Sequence, residues 1–143
     1  MIQFRPIVQF FVPGVPAPGG SKRAFIVAGR AVVTDDAKHN KPWRASVAAA
    51  AYDAYHGPIL DQPLVVSFTF ILVRPRGHYG KRGVRPSAPK YPATKPDVLK
   101  LARSTEDALT GILWRDDSRT VALIARKVYG EQAGCWVSVA PAP

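Results

Sequence analysis

The sequence is poor in several residue types, and each shortage excludes a class of protein. Cys135 is the only cysteine, so no internal disulfide framework can form. With only three histidines in the chain, a zinc site of the usual cysteine and histidine spacing is excluded as well. No run approaches the roughly 18 apolar residues of a membrane-spanning helix, and the N-terminus lacks a signal peptide's apolar region and cleavage site. We therefore expect a cytoplasmic protein without a membrane partner.

Acidic residues are also scarce. The chain has 10 Asp and Glu against 20 Lys and Arg, which gives a formal net charge of +10. Such an excess of positive charge indicates a polyanionic partner and favours nucleic acid over an acidic membrane surface. The length of 143 residues and the hydrophobic content of 47% predict a single domain, residues 1–143, that buries a core and is short enough to dimerise.

The few acids are concentrated in one place. Half of them lie between Lys95 and Val121. Carboxylates at the two ends of a short helix can meet if the chain folds back across the start of the helix. Hard cations such as Mg²⁺ prefer oxygen ligands and commonly sit between one or two carboxylates and a phosphate. The stretch therefore predicts a divalent-cation site. Its acids are Asp97, Glu106, Asp107, Asp116 and Asp117.

Local signals predict the helix between these acids. Pro96 restricts Lys95 to an extended conformation, and Asp97 is a plausible N-cap, so the helix begins at Val98 and ends before Gly111. One side follows the helical period and is predicted to be buried. It comprises Val98, Leu101, Ala102, Thr105, Ala108, Leu109 and Ile112.

A second column on this helix is mainly polar. Leu99, Arg103, Glu106 and Thr110 are spaced by four, three and four residues, so Arg103 and Glu106 project on the same side. The spacing leaves a simpler interpretation open. In it, Asp97 is only a cap, Arg103 and Glu106 form an exposed ion pair, and the two adjacent aspartates make a turn.

Hydrophobic patterns predict the other elements of the N-terminal half. Residues 3–12 are predicted as a strand in which Pro6 suits a sheet edge, and residues 24–34 as a hairpin that turns at 28–30. Residues 40–55 have the composition of a helix. Its predicted buried stripe comprises Trp43, Val47, Ala50, Ala51 and Ala54.

The apolar run at residues 64–73 is predicted to be a central strand covered on both faces. Residues 119–129 and 135–140 are predicted to pair as a hairpin, with Trp136 in the core. The fold class expected from these elements is α/β (α+β), with a single mixed β-sheet of about five to six strands and two main helices.

The strongest positive charge lies in residues 74–95, which contain seven Lys or Arg and no acid. One interpretation is a flexible insertion whose charges only keep the chain soluble. The other is a flexible cationic arm that binds phosphates and uses His78, Tyr79 and Tyr91 to stack on exposed bases. The predicted DNA-contacting cations are Arg74, Arg76, Lys81, Arg82, Arg85 and Lys95, together with Lys22 and Arg23 of an N-terminal Pro-rich loop.

Four motifs occur in a specific order: VPGVPAPGGSKR, KPD, DALTG and WRDDSRTV. Over about Val12 to Lys127 this order resembles the RusA family of Holliday junction resolvases. The resemblance implies a RusA-like α/β endonuclease, homodimeric, of phage or prophage origin. It implies Mg²⁺, for which Mn²⁺ substitutes, and no small-molecule cofactor. It also implies paired symmetric nicks across a four-way DNA junction.

The resemblance assigns roles by position. Asp97 and Asp117 correspond to metal ligands, with Asp116 beside them. Arg103 stands where the family has a lysine, which suggests a phosphate-orienting role, and Lys127 is a candidate to contact the scissile strand.

Leu99 departs from the family pattern, because it stands where the resemblance predicts a second carboxylate. Three explanations remain open. Glu106 replaces the missing oxygen, Asp116 takes a larger share, or the protein binds junctions with weak or no cleavage. The last is the alternative function. An RNA-binding role fits the charge but not the acidic cluster.

Overall fold

A computed structural model describes residues 5–19, 22–35 and 40–143. The apolar run LVVSFTFIL forms strand β4, in which Val66, Phe68 and Phe70 are completely buried. It lies inside a four-stranded sheet and pairs with one neighbour in parallel and with the other antiparallel. The sheet contains, in spatial order, β1 (Val8–Pro13), β8 (Gly134–Pro141), β4 (Leu64–Leu72) and β7 (Thr120–Tyr129). The mixed α+β fold class is thereby confirmed.

Three details of the predicted sheet are wrong. Strands β7 and β8 do not form a hairpin, because β4 lies between them. The main sheet has four strands rather than five or six, since β2 (Lys22–Val27) and β3 (Arg30–Asp35) pair only with each other. Their turn uses positive φ at Ala28 (51°) and Gly29 (77°), as a tight hairpin requires. Strand β4 lies inside the sheet, but Ser67, Thr69 and Ile71 on its outer face are only half-buried. Only one of its faces is therefore fully covered, and not both as predicted.

Helix α1, Asn40–Ala54, covers the inner face of the sheet together with helix α2. It buries Trp43, Val47 and Ala51, whereas the predicted Ala50 is only half-buried and Ala54 is exposed. The indole Nε1 of Trp43 donates to the Thr105 hydroxyl of α2 at 3.1 Å. The two helices are therefore joined by a buried polar contact as well as by apolar packing.

Helix α2, Val98–Leu109, has the predicted boundaries. Ser104 is also buried, although its residue type gave no reason to expect this. Its hydroxyl donates to the Ala17 carbonyl at 2.5 Å, and the Gly19 amide donates to the Lys100 carbonyl at 2.8 Å. The Pro-rich loop is thereby docked along the first half of α2.

The outer face of the sheet is not covered by either helix. Trp136 lies there at 47% exposure and packs on Phe11, with ring centroids 5.2 Å apart. The prediction of a core position is therefore wrong. Side chains alternate along a strand, and the buried neighbours Cys135 and Val137 occupy the inner face. Neither of the described helices is long and apolar enough to cross a membrane.

Residues 74–95 carry structure of their own. A 3₁₀ turn at Arg76–His78 leads into two short paired strands, β5 (Tyr79–Gly80) and β6 (Gly83–Val84). Arg74 fastens this segment, because its Nη1 donates to the Pro89 carbonyl at 2.7 Å. The guanidinium also lies over the Tyr129 ring, 4.3 Å from the centroid. The basic segment therefore folds against the end of β7.

Candidate metal and DNA-contact site

Asp97 occupies the N-cap position of α2 without capping through its side chain. Its backbone is extended (φ −64°, ψ 136°), and the carboxylate accepts no cap hydrogen bond. Lys100 Nζ lies 4.0 Å from Asp97 Oδ2. The side chain is exposed, so the carboxylate oxygens remain available to a ligand, which a purely capping role would not leave.

Lys127 holds the segment that leads to Asp97. It lies near the end of β7, and its Nζ donates to the Thr94 carbonyl at 2.7 Å and to the Pro96 carbonyl at 2.9 Å. An ammonium group has three N–H donors, so one remains for a phosphate. Lys127 therefore supports the backbone before α2 in addition to its predicted contact with the scissile strand.

The two adjacent aspartates form the start of a 3₁₀ turn, Asp117–Arg119. Asp116 accepts a hydrogen bond from the Ser118 amide at 2.8 Å, and this bond lowers the pKa of the Asp116 carboxyl. Asp117 is exposed at the first position of the turn. One oxygen of Asp116 is therefore occupied by a hydrogen bond within the turn. The Asp117 side chain makes no such bond within the described turn and is exposed to solvent.

Glu106 is the partner of Asp117 at this end of the helix. Burial raises the pKa of the half-buried Glu106 carboxyl, and the negative charge of Asp117 raises it further. A weak hydrogen bond from the buried Thr120 hydroxyl lowers the pKa of Glu106, and no described group gives Thr120 Oγ1 a hydrogen bond of good geometry. Two carboxylates and a buried hydroxyl thus lie close together where α2 ends and β7 begins.

Asp61 is a further residue of this region that sequence reasoning missed. Its carboxylate accepts from Arg119 Nε at 2.8 Å and lies 3.4 Å from Arg115 Nε. These arginines stand on either side of the aspartate pair, so Asp61 fixes the turn from outside. No spacing signal links Asp61 to the turn, because the contact spans 58 residues of sequence.

Within one chain, the structure divides the predicted ligands into two groups. Asp97 lies with Lys127 at the start of α2, and Asp117 lies with Glu106 at its end. Asp97 and Glu106 are separated by about 14 Å along the helix axis at 1.5 Å per residue. No group of three or more acidic, histidine or cysteine side chains in the described ranges is arranged to hold a metal. The meeting of Asp97 and Asp117 at one shared cation stays a prediction.

The first two residues of the mainly polar column of α2, Leu99 and Arg103, lie between the two carboxylate groups and are exposed. Leu99 is 65% exposed and Arg103 is exposed. Arg103 and Glu106 do not form an ion pair, so the simpler interpretation of this pair is wrong. The Arg103 guanidinium is accordingly presented to solvent between the two carboxylate groups.

The predicted DNA-contacting cations of residues 74–95 lie at the Asp97 end of the site, since their segment packs on the end of β7 and leads directly to Pro96. Arg74 is half-buried, and Arg85 donates to the Tyr79 carbonyl at 3.1 Å. The side chains of Lys22 and Arg23 lie outside the described part of the chain. The remaining cations are exposed; they are Arg76, Lys81, Arg82 and Lys95.

The donor set fits a hard cation. It consists of carboxylates and the Thr120 hydroxyl beside Glu106, and oxygen ligands of this kind suit Mg²⁺ and Mn²⁺. The thiol of Cys135 is not available to a softer metal, because it is buried and burial raises its pKa to about 12. Glu106 and Asp117 at one end of α2, and Asp97 at the other, are the carboxylates that offer oxygens to such an ion.

Comparison with known proteins gives a family match and a match to a bacterial relative. Residues 13–140 match the family model described as "Endodeoxyribonuclease RusA", a range that includes both carboxylate groups and the whole basic segment. The chain is also 29% identical over 128 residues to the Bacillus subtilis (strain 168) protein described as "Uncharacterized protein YqaN". That match covers 87% of this chain and 89% of the relative.

Proposed function

The chain belongs to the RusA family of endodeoxyribonucleases, and we propose that it cuts four-way DNA junctions by paired, Mg²⁺-dependent nicks. The observation that carries the proposal is the proximity of Glu106, Asp117 and the buried Thr120 hydroxyl at one end of α2. The uncapped Asp97 carboxylate lies at the other end. These oxygen donors lie on a chain of net charge +10, which attracts a polyanion and supplies ligands for the cation that cuts it.

A second copy of the chain is part of this proposal. Strand β7 is an edge of the main sheet, and no described strand pairs with its outer side. It exposes Val121 at 60%, Leu123 at 40% and Ile124 at 55%. A long apolar edge is a template for pairing with another chain. The simplest closed arrangement is a two-fold dimer in which β7 of one copy runs antiparallel to β7 of the other.

Antiparallel pairing of β7 would also complete the site. It sets the Thr120 end of one strand against the Tyr129 end of its partner. Asp117 and Glu106 adjoin the first end, and Asp97 adjoins the second through Lys127. Each dimer would then contain two composite sites, in which Asp117 of one copy approaches Asp97 of the partner subunit. Two symmetric sites suit paired nicks in a two-fold substrate.

The metal ion, the carboxylates and the cationic side chains have different roles in the proposed cleavage reaction. When bound, Mg²⁺ supplies Lewis-acid activation of water and neutralises charge on the phosphate. The three carboxylates hold the ion, while Arg103 and the remaining N–H donor of Lys127 stabilise charge that develops on the scissile phosphate. The exposed cations of residues 74–95 bind the phosphates of the branch arms, which makes binding strongly dependent on salt.

A second candidate function is junction binding with weak or no cleavage. The observation that favours it is Leu99, whose exposed side chain stands in the first turn of α2 close to Asp97. Leucine offers no oxygen to a cation, so the site has one carboxylate fewer than the family resemblance predicts. In this case the basic surface would be the functional part of the molecule.

Cleavage of a synthetic four-way junction, with Mg²⁺ or with EDTA, separates the two candidates. We expect Mg²⁺-dependent cleavage by the wild type and its loss in Asp117→Asn, while junction affinity in EDTA is unchanged. Asp53→Asn is the matched control, because Asp53 is an exposed aspartate on α1. Tight binding by the wild type without cleavage would establish the second candidate. A protein that does not bind the junction at all would contradict both.

A further inference from the structure

A concave pocket of about 370 Å³ lies between the basic segment and the end of β7. Three tyrosines line it from different parts of the chain: Tyr79 from β5, Tyr91 from the loop before α2, and Tyr129 from the end of β7. Arg74 and Lys90 supply two cations, and Glu131 is the acid among the lining residues. The pocket thus combines aromatic faces with net positive charge.

The back of this pocket is held in place by contacts that do not need a ligand. The Arg74 guanidinium lies over the Tyr129 ring, and the His78 ring meets Tyr129 edge-on with centroids 5.5 Å apart. Arg74 Nη1 also lies 3.3 Å from His78 Nδ1 and, through its bond to the Pro89 carbonyl, ties down both ends of the basic segment. The Tyr129 ring is therefore held in one position by Arg74 and His78 and forms the back of the pocket.

The front of the pocket is different, because its rings have free faces. Tyr79 is 43% exposed and Tyr91 is 57% exposed. Among the described aromatic side chains, neither stacks on another ring. The Lys90 ammonium lies over one face of the Tyr91 ring, 5.5 Å from its centroid, so Tyr91 offers its opposite face. Two aromatic faces with a cation beside them are the elements with which proteins bind unpaired bases and their phosphates.

We propose that this pocket binds one unpaired nucleotide of a DNA substrate, with the base stacked on Tyr91 and Tyr79 and its phosphate beside Lys90. The volume lies near the lower end of the range of about 300–1,000 Å³ typical of small-molecule sites, which suits one nucleoside and not a duplex. Bases within an intact duplex have no free face to offer. A polyanionic ligand also agrees with the seven Lys or Arg and the absence of acids in residues 74–95.

The pocket lies next to the proposed cleavage site, and this step of the inference rests on the proposed function. Tyr129 also lines a neighbouring cavity together with Thr94 and Pro96, the two residues whose carbonyls Lys127 holds in front of Asp97. A nucleotide in the pocket would therefore lie next to the phosphate presented to Asp97. The pocket selects DNA with a base unstacked at a branch point, because a continuous duplex leaves it empty.

The test measures binding in EDTA, so that it is independent of cleavage. Fluorescent 2-aminopurine is placed either in a single-stranded oligonucleotide or at the branch of a four-way junction, with a continuous duplex for comparison. Wild-type protein is expected to change the 2-aminopurine emission in the single strand and in the junction but not in the duplex. Tyr79→Leu and Tyr91→Leu should each weaken single-strand affinity by about 5- to 150-fold, the range for loss of one base–aromatic stack.

Matched variants separate stacking from structural damage. Tyr79→Phe and Tyr91→Phe keep the ring and should retain affinity. Tyr52→Leu removes a tyrosine that is 72% exposed on α1 and should have no effect. Unchanged emission with the wild type, or equal single-strand affinity in the leucine and wild-type proteins, would overturn the pocket while leaving junction cleavage untouched. Tyrosine-dependent single-strand binding by a protein that never cuts a junction would support the pocket and count against the nuclease.

Discussion

The Asp61 carboxylate accepts a hydrogen bond from Arg119 Nε at 2.8 Å, which ties the loop before β4 to the turn that carries Asp117. The same loop is joined to the turn by backbone bonds: the Leu60 amide donates to the Leu113 carbonyl at 2.8 Å, and the Arg115 amide donates to the Leu60 carbonyl at 3.0 Å. The backbone of Leu60 thus holds the main chain before the turn, and the Asp61 carboxylate holds the side chains of Arg115 and Arg119.

Removal of this contact should change metal use more than stability. We expect Asp61→Ala to alter the free energy of unfolding by less than about 1 kcal/mol, because both ion pairs are exposed. The Mg²⁺ concentration for half-maximal junction cleavage should rise by about 10-fold, as for other groups that orient metal ligands. Thermal unfolding and a Mg²⁺ titration measure the two effects, and Asp53→Ala serves as the control. An unchanged Mg²⁺ requirement would restrict Asp61 to a structural role.

Glu106 should destabilise the metal-free protein when it is ionised. Burial and the charge of Asp117 raise its pKa above the ordinary value of 4.5, so folding favours the neutral form. The stability contributed by the neutral form is fully present below the pKa of the unfolded chain and is lost as the pH rises through the higher pKa of the folded protein. In EDTA, Glu106→Gln should therefore have a higher Tm than the wild type at pH 7, and the difference should vanish near pH 4.

Added Mg²⁺ should reverse this order. The wild type gains stability by binding the ion, whereas the neutral amide of Glu106→Gln weakens that gain. Asp107→Asn, which neutralises the exposed neighbouring acid, should retain the wild-type response to Mg²⁺. A Glu106→Gln protein with a lower Tm than the wild type at pH 7 in EDTA would show that the carboxylate makes a stabilising ion pair after all.

Mixed dimers should reveal whether each site is shared between two chains. Asp97→Asn and Asp117→Asn are each expected to be inactive alone. In a dimer of one chain of each kind, one composite site keeps both carboxylates and the other keeps neither. Random pairing of co-expressed chains should restore about a quarter of the wild-type nicking, without paired nicks in one junction. If purified mixed dimers remain inactive, Asp97 and Asp117 act within the same chain or do not act together.

An added carboxylate at position 99 should strengthen the site. Leu99 is exposed in the first turn of α2, where an acidic side chain is favoured by the helix dipole. Leu99→Asp should lower the Mg²⁺ concentration for half-maximal cleavage by about 10- to 100-fold, and it should not reduce the Tm. Leu99→Asn has nearly the same shape without the charge and is the control. Equal effects of the two substitutions would mean that the position lies away from the cation.

The sequence was sufficient for features that depend on neighbouring residues. The boundaries of α2 follow from Pro96 and Gly111, and the burial of Leu101 and Leu109 follows from the helical period. The same local logic picked out the acids at the two ends of the helix. That logic was incomplete, because it did not weigh the length of α2, which separates Asp97 from Glu106 by about 14 Å along the helix axis.

Features that depend on residues distant in sequence could not be predicted from local patterns. The order of β4, β7 and β8 is a property of the whole sheet, in which β4, from earlier in the chain, lies between the two C-terminal strands. Trp136 is turned outward by the register of β8 on its neighbours rather than by its own apolar character. The pocket at Tyr129 is lined by three separate segments of the chain, so no motif within one segment predicts it.

The buried Cys135 thiol has a practical consequence. A thiol whose pKa is raised to about 12 in the sheet interior carries almost no thiolate at neutral pH, and thiolate is the species that maleimide dyes attack. A dye can thus be attached to a cysteine introduced on the surface, as in Ser87→Cys, without first replacing the natural one. Energy transfer between two such dyes would report subunit exchange and the bending of junction arms in real time.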